Sequence, residues 1–240
     1  MIYLPNQRAV FIHNPKCAGT SLVIALERMF EEDQRRKFWG RSYLPEHDTV
    51  RDLAHIKVSE LRAFLPTEPV DFTFGMVRDP YERFVSALKH FRTYSGRDDK
   101  ISPEAFAERY LNHALIRNDW RLVHFAPQYT FFFSGQRCTV DLVGRMEEMD
   151  RFLTALSKRL GCDIYLAKEN VGTNDVVELS DDLIATINHF YARDFAYFGY
   201  PMRTPAPGAR VLGDREVYSS FEALWPEERA LETKALTKID

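Results

Sequence analysis

The sequence predicts an α/β fold in which a central parallel sheet is flanked by helices, because strand-like and helix-like segments alternate along it. Residues 9–12 form a short apolar run, and an apolar pattern of helical spacing covers residues 20–30. Residues 71–77 are rich in aromatic and β-branched side chains, and a second helical pattern follows them directly. Residues 139–143 are predicted to form a third, buried strand, and a third helical pattern follows them. Alternation of this kind gives parallel sheets that bind ligands at the carboxyl ends of their strands.

The first strand-to-helix transition carries residues suited to an anion. Pro15 ends the strand, Lys16 places an ammonium group in the turn, and Gly19 permits close approach of the backbone. Thr20 and Ser21 supply hydroxyl groups in the first turn of the helix, where backbone N–H groups and the helix dipole favour negative charge. The alternative interpretation is an ordinary connection with a surface lysine.

This turn differs from the Walker phosphate loop. A Walker loop has the order Gly-x-x-x-x-Gly-Lys-Ser/Thr, whereas Lys16 here precedes Gly19. No aspartate ends an obvious second strand in a position to hold Mg²⁺. We therefore expect an anion to be bound here with no metal required.

The second transition supplies an arginine and a serine. Arg78 lies at the end of the strand, Asp79 is a suitable N-cap, and Pro80 fits the first turn of a helix. Ser86 follows two turns along that helix. An arginine fork and a hydroxyl group together suit a phosphate monoester. The alternative is structural: an ion pair of Arg78 with Asp79 or Glu82, and a helix contact for Ser86.

Local signals mark the remaining helices. Ser102 is a predicted N-cap of a helix that runs to about His113, and Ser180 is the predicted N-cap of the last strong helix. Gly161 ends the helix after the third strand, and the segment 198–200 ends the last one.

The composition changes at Pro201, where prolines and a glycine predict a linker. A charged tail with a short predicted helix at 227–238 follows. We therefore expect residues 1–200 to form one domain and residues 201–240 to form a C-terminal extension of unknown role.

Composition excludes several classes of protein. The chain has 240 residues and a net charge of −3, so no overall basic field indicates a nucleic-acid partner. No apolar run approaches the ~18 residues of a membrane span, and no signal-peptide pattern is visible. The three widely spaced cysteines argue against a disulfide framework or a zinc site and fit a reducing compartment.

Both transitions resemble motifs of one enzyme family. Residues 15–21, Pro-Lys-Cys-Ala-Gly-Thr-Ser, resemble the 5′-phosphosulfate loop of sulfotransferases that use 3′-phosphoadenosine 5′-phosphosulfate (PAPS). Residues 74–88 resemble the 3′-phosphate motif Arg-Asp-Pro-x-x-Arg-x-x-Ser of the same family. The chain is most similar to the carbohydrate sulfotransferases and their soluble bacterial relatives, over residues 8 to 200.

Four further segments resemble parts of these enzymes. Gly144–Glu147 resembles a stretch that closes the sheet beside the cofactor, and Lys168–Asp175 loosely resembles a loop that covers the nucleotide. The segments Phe125–Phe133 and Tyr191–Tyr200 are also similar to the family. Within the loosely matching loop, the candidate nucleotide contacts are Asn170, Thr173 and Asn174.

The resemblance implies a P-loop-like sulfotransferase fold, PAPS as the donor and adenosine 3′,5′-bisphosphate as the spent product. Arg78 and Ser86 would bind the 3′-phosphate, and Lys16 would also act as the electrophile on the bridging oxygen. The loop residues implied to bind the 5′-phosphosulfate are Lys16, Cys17, Ala18, Gly19, Thr20 and Ser21. Animal relatives are anchored in the Golgi; because this sequence shows no anchor, we expect it to be cytoplasmic.

The acceptor hydroxyl needs a base, for which we select His55. An unperturbed imidazole transfers protons near neutral pH, and soluble relatives similarly have a histidine ahead of a short Glu-Leu helix. His13 and His90 are the other candidates, and a packing role for His55 is the alternative. The acceptor is expected to be a saccharide or other small molecule. Aromatic residues that could stack on sugar rings are Trp39, Tyr43, Phe91, Tyr94 and Trp120.

Two other functions stay open at this point. A catalytically silent nucleotide-binding or scaffold protein could keep the same fold, although it would not need Lys16, Ser21, Arg78 and Ser86 together. An ATP-dependent phosphotransferase would need a Walker-type loop and Mg²⁺ ligands, neither of which we find in the sequence.

Overall fold

The computed structural model describes residues 1–44, 49–94, 100–166 and 177–213. Its strands are β1 Ile2–Leu4, β2 Ala9–Ile12, β3 Arg36–Lys37, β4 Arg41–Leu44, β5 Thr49–Asp52, β6 Phe72–Val77, β7 Phe133–Ser134, β8 Arg137–Cys138 and β9 Leu142–Arg145. Five of them form the central sheet in the order β3-β1-β2-β6-β9, while β4 pairs with β5 and β7 with β8 in two separate hairpins.

The central sheet has a parallel part and an antiparallel part. Strands β2, β6 and β9 run parallel, with Ile12 opposite Gly75 and Val77 opposite Arg145. Strand β1 runs antiparallel to β2 because a tight turn joins them, in which Arg8 N–H donates to Pro5 O at 3.1 Å. Strand β3 is likewise antiparallel to β1. The predicted parallel sheet is therefore confirmed for three strands, whereas the antiparallel edge was not predicted.

The helices follow the strands as the alternation predicts. They are α1 Gly19–Met29, α2 Leu61–Phe64, α3 Pro80–Tyr94, α4 Pro103–Tyr110, α5 His113–Asn118, α6 Tyr129–Phe132, α7 Met149–Leu160, α8 Asp181–Phe190 and α9 Ala192–Phe198. Short 3-10 turns cover Leu53–His55, Val58–Glu60, Trp120–Phe125 and Met146–Glu148. The predicted N-caps are confirmed, since Ser102 Oγ accepts from Ala105 N–H at 3.1 Å and Ser180 Oγ accepts from Leu183 N–H at 3.4 Å.

Helices cover both faces of the sheet, each over its own apolar cluster. On one face, α1 and α7 pack on side chains such as Phe11 and Phe74. On the other face, α3, α4, α8 and α9 pack on alternate side chains such as Val10 and Ile12. Successive strand residues point to opposite faces, so both clusters draw on the same strands. The prediction that helices flank the sheet on both faces is confirmed.

Two elements differ from their predicted limits. Strand β9 begins at Leu142, after Asp141, whose carboxylate accepts from the backbone N–H and the hydroxyl group of Thr73, both at 2.7 Å. The strand is half-buried because it lies at the edge of the sheet. The helix predicted to run to about His113 ends at Tyr110, since Asn112 Oδ1 accepts from Ala114 N–H at 2.8 Å and starts a new helix.

The described part of the predicted extension lies along α8. Backbone N–H groups of this segment donate to side chains of the helix: Ala206 to Asp181 Oδ1 at 2.9 Å, and Arg210 to Asp182 Oδ1 at 2.8 Å. Residues 201–213 are thus tied to the domain. The helix predicted at 227–238 lies outside the described residues.

Candidate active site

The loop between β2 and α1 has the backbone of an anion cradle. Lys16 and Ala18 both adopt left-handed conformations, with φ of 66° and 55°. Left-handed residues within such a turn aim successive N–H groups into one concavity. Helix α1 begins at Gly19 with no acidic residue in its first turn, so nothing there competes with a bound anion.

Gly19 is required by its contact with His13. A Cβ atom added at Gly19 would lie 2.1 Å from both Cδ2 and Nε2 of the His13 imidazole. The ring therefore packs directly on the first residue of α1, and any side chain at this position would displace it.

Asn14 fixes the inner side of the loop. Its Nδ2 donates to Met76 O at 2.9 Å, on the neighbouring strand β6, and to Gln128 Oε1 at 3.0 Å. It also lies 3.1 Å from the Cys17 sulfur. Burial raises the pKa of the Cys17 thiol to about 12, so the side chain is neutral and packed inward. Only the backbone of Cys17 is left to face a ligand.

The second turn, from β6 to α3, places Arg78 beside this loop. Asp79 caps α3, since its Oδ1 accepts from Tyr81 N–H at 2.9 Å and from Glu82 N–H at 3.1 Å. The Arg78 guanidinium lies 3.4 Å from the Glu82 carboxylate, a contact at the surface, so part of the structural alternative is present. Ser86 is half-buried two turns along α3.

Gln128 joins the two turns. Its Oε1 accepts from Arg78 N–H at 2.9 Å as well as from Asn14, and its Nε2 donates to Arg78 O at 2.8 Å. Gln128 is fully buried. A single side chain therefore fixes the distance between the Lys16 loop and the Arg78 turn.

Asp194 in turn holds Gln128. Its carboxylate accepts from Gln128 N–H at 2.8 Å and from Tyr129 N–H at 2.9 Å, at the start of α6. Burial raises the pKa of Asp194 to about 6, and these two amides oppose that effect because they stabilise the ionised form.

The third parallel strand also reaches the site. The stretch predicted to close the sheet, Gly144–Glu147, lies where β9 ends, and Glu147 Oε1 accepts from Asp79 N–H at 2.7 Å. The other oxygen of Glu147 accepts from the Tyr200 hydroxyl group at 2.7 Å. Arg145 Nη2 donates to Phe198 O at 2.6 Å. The Arg78 turn is thus supported by β9 and by the end of α9.

The electrostatics favour an anion between the two turns. Burial lowers the pKa of Lys16, and the neighbouring positive charge of Arg78 lowers it further. Two cations that destabilise each other's charge at the edge of a sheet would both be stabilised by a bound anion.

Four histidines extend from the loop as a row. Ring centroids are 4.6 Å apart for His13 and His55, 5.2 Å for His55 and His124, and 4.3 Å for His124 and His90. Burial lowers the pKa of His55 to about 4 and that of His90 to about 4. It also holds the pKa values of His13 and His124 well below the ordinary histidine value. The row is therefore neutral at pH 7.

His55 has a fixed tautomer. Its Nδ1 lies 2.8 Å from His13 O, and a carbonyl oxygen can only accept, so Nδ1 carries the proton. The lone pair of the neutral ring is then on Nε2 and is free to accept a proton. This is the arrangement that a general base requires.

The aromatic residues proposed for acceptor stacking lie in three different settings. Trp39 is 52% exposed and stacks on His13 at 6.3 Å, and Tyr94 is 76% exposed and contacts His90 at 4.5 Å, so the two lie at opposite ends of the histidine row. Phe91 is buried in the core among other aromatic rings, so stacking on an acceptor is wrong for this residue. Tyr43 is exposed, and Trp120 lies under the Arg41 guanidinium at 3.8 Å.

A comparison with family models identifies the chain. The model described as "Sulfotransferase family" matches residues 1–201. The chain belongs to the sulfotransferase family. Searches of the curated proteins and of the solved structures give no match. The matched residues of this sulfotransferase contain both turns, the histidine row, Gln128 and Asp194.

Some candidate residues of the sulfotransferase are not tested by the structure. Asn170, Thr173 and Asn174 lie outside the described residues. Within the described ranges, no helix is both long and apolar enough to cross a membrane. In that same part of the chain, no group of three His, Cys, Asp or Glu side chains is arranged to hold a metal ion.

Sequence reasoning missed three residues that the structure brings to the site, Gln128, Asp194 and His124, and it gave no role to Arg83, the second arginine of the motif in residues 74–88. Each depends on a contact between segments far apart in the sequence. The segments that resemble the family around Gln128 and Asp194 were the available signal, but they do not say which residue acts.

Proposed function

We propose that this sulfotransferase uses PAPS and transfers the sulfuryl group to a hydroxyl group of a carbohydrate or other small-molecule acceptor. The observation that carries the proposal is the bond of Gln128 to both strand-to-helix turns. It holds an anion cradle and an arginine turn side by side, as a nucleotide with anionic groups at both its 5′ and 3′ positions requires.

The residues present fit this donor. The left-handed Lys16 and Ala18 and the first turn of α1, with Thr20 and Ser21, would hold the 5′-phosphosulfate. Arg78 and Ser86 would hold the 3′-phosphate. When bound, PAPS supplies an activated sulfuryl group with a 5′-phosphate as its leaving group.

The protein's own groups then perform two tasks. Lys16 and the amides of the loop stabilise the negative charge that develops on the leaving oxygen. His55 Nε2 accepts the proton of the acceptor hydroxyl group as that oxygen forms its bond to sulfur. The bond from sulfur to the 5′-phosphate breaks in the same displacement, which leaves a sulfated acceptor and adenosine 3′,5′-bisphosphate. Transfer of this type depends mainly on position and charge stabilisation.

Two exposed aromatic side chains support a saccharide acceptor. Trp39 and Tyr94 lie at the two ends of the histidine row that contains His55. Aromatic faces stack on apolar faces of ligands while hydroxyl groups stay free to react. We also propose a cytoplasmic location, because the three cysteines are all free and Cys138 is exposed.

The first test is calorimetric titration with adenosine 3′,5′-bisphosphate in the absence of Mg²⁺, with ATP as the comparison ligand. We expect micromolar binding of the bisphosphate, much weaker binding of ATP, and a loss of at least tenfold in Arg78→Ala. Absence of binding to the wild-type protein, or a preference for ATP with Mg²⁺, would overturn the proposal.

A turnover assay separates an enzyme from a silent binding protein. Wild-type protein with PAPS and a panel of saccharide acceptors is expected to release adenosine 3′,5′-bisphosphate faster than protein with no acceptor. Lys16→Ala should abolish this release while part of the nucleotide affinity is kept. Tight binding of the bisphosphate without acceptor-dependent release from any saccharide would favour the silent scaffold.

A further inference from the structure

Arg83 on α3 is almost completely buried, with 1% of its surface exposed. Its Nε donates to Pro15 O at 3.0 Å, so the guanidinium lies directly beneath the residue before Lys16. Its Nη2 is buried and has no hydrogen-bond partner among the described residues. Arg83 thus supports the 5′-phosphosulfate loop while part of its own hydrogen-bonding capacity is unused.

Arg83 also lacks a direct ion-pair partner. Within the described part of the chain, no carboxylate lies within ion-pair distance of its guanidinium, whereas other arginines of the protein pair with acidic side chains. The positive charge of Arg83 attracts the Asp194 carboxylate and opposes the rise in its pKa caused by burial, but the two groups form no ion pair, and the carboxylate is bound by two backbone amides. Removing a guanidinium from water without a counterion is strongly unfavourable, so an arginine with a purely structural role is normally paired.

The neighbours of Arg83 add to the positive charge around the loop. The positive charges of Arg78 and Arg83 both lower the pKa of Lys16, which burial already lowers. Three cations therefore surround one loop, and the histidines beside them are neutral. An anion bound at the loop would be attracted by all three.

We propose that Arg83 is a third cation of the donor site, which positions the Pro15–Lys16 loop through Nε and adds positive charge for the 5′-phosphosulfate end of the nucleotide. This inference rests on the proposed function. Arg83 acts through the loop and through its charge, and so it is a positioning residue.

The test compares nucleotide binding with the stability of the protein alone. Arg83→Met removes the charge and keeps the length of the side chain, and Arg83→Lys keeps the charge and loses the fork. We expect adenosine 3′,5′-bisphosphate to bind at least tenfold more weakly to Arg83→Met, with an intermediate loss in Arg83→Lys. The urea midpoint of the ligand-free protein should stay unchanged or rise in Arg83→Met, because an unpaired buried charge is removed.

Arg92 on the same helix provides the matched control. Its Nε also donates to a backbone carbonyl, Ile101 O, at 3.0 Å, but it has no contact with the loop. Arg92→Met should lower the urea midpoint and leave nucleotide affinity unchanged. If Arg83→Met behaves like Arg92→Met, Arg83 is structural and the inference is wrong.

A nucleotide without the 5′ group shows which end of the ligand Arg83 acts on. Adenosine 3′-monophosphate lacks the 5′ group, so its affinity should be nearly the same for wild-type protein and Arg83→Met, while Arg78→Met should weaken it. An equal loss of both nucleotides in Arg83→Met would overturn the assignment to the 5′ end. Failure of the wild-type protein to bind either nucleotide would instead overturn the proposed function, and this inference with it.

Discussion

The environment of His55 converts an ordinary imidazole into a neutral group with one available nitrogen. The carbonyl of His13 fixes the proton on Nδ1, and burial lowers the pKa to about 4. The sequence indicated the residue, but only the structure supplies the tautomer. His124, which the sequence did not indicate, contacts the ring of His55 on the side of the row away from His13.

Replacement of the proposed base should separate catalysis from binding. In His55→Gln, we expect kcat to fall by about 10²–10⁴-fold, because proton transfer from the acceptor is lost. Affinity for adenosine 3′,5′-bisphosphate should change less than about threefold, because His55 lies outside both of the proposed phosphate sites. Steady-state kinetics and calorimetry measure the two quantities on the same preparation.

The pH dependence of the wild-type enzyme tests the same assignment. The base acts only when unprotonated, so kcat/KM should fall as the pH falls through a pKa of about 4 and stay flat between pH 5.5 and 7. His189→Gln, at an exposed histidine on α8, is the control and should leave kcat unchanged. Full activity of His55→Gln with every acceptor would exclude His55 as the base.

At the scale of elements, the site depends on Gln128, which joins the ends of β2 and β6 from the start of α6. Its side chain makes hydrogen bonds to Asn14 and to both backbone groups of Arg78. All of these groups are at least partly buried, so a substitution cannot simply replace the bonds with water. The separation of the two proposed phosphate sites is therefore set by one side chain on a third segment.

Gln128→Ala should damage both stability and binding. It leaves the backbone N–H and C=O of Arg78 without their partners, at a cost of about 1–3 kcal/mol for each unsatisfied group. We expect the free energy of unfolding in urea to fall by about 3 kcal/mol, and affinity for adenosine 3′,5′-bisphosphate to fall at least tenfold as the two turns separate. Gln34→Ala, at a half-exposed glutamine outside the site, should change stability by less than ~1 kcal/mol. Equal effects of the two substitutions would contradict this role.

The two strand-to-helix turns and the helix caps were predictable because their signals are local. Lys16 and Gly19, or Asp79 and Pro80, are close in sequence to the elements that they begin. The antiparallel edge of the sheet was not predictable, because β1 and β3 are only three and two residues long and are too short to show a periodic pattern of their own.

The connections of the site were not predictable for a related reason. Gln128 bonds to Asn14 across 114 residues, and Asp194 bonds to Gln128 across 66. Arg83 meets Pro15 across 68 residues. A single sequence contains the polar residues but not the pairing, since any of them could equally lie on the surface.

At the scale of the whole molecule, burial lowers the pKa values of histidines. Within the described residues it lowers the pKa values of His13, His55, His90, His113 and His124. Asp194 is an opposing group, because burial raises its pKa to about 6. The fold therefore excludes protons at five positions and retains one at Asp194 below about pH 6.

Stability should consequently fall as the medium becomes mildly acidic. Between the unfolded histidine pKa of about 6.5 and the folded values of about 4, the unfolded chain binds protons that the folded chain does not. Each such histidine lowers the free energy of unfolding by up to about 1.4 kcal/mol per pH unit, and Asp194 offsets roughly one of them. Urea unfolding at pH 7.5, 6.5 and 5.5 measures the slope of this free energy against pH.

His124→Phe removes one titrating group from the row and should make the slope shallower by about one proton. A free energy of unfolding that is flat or rises from pH 7.5 to 5.5 would show that the histidine row is protonated in the folded protein, and it would remove the neutral His55 on which the proposed proton transfer depends.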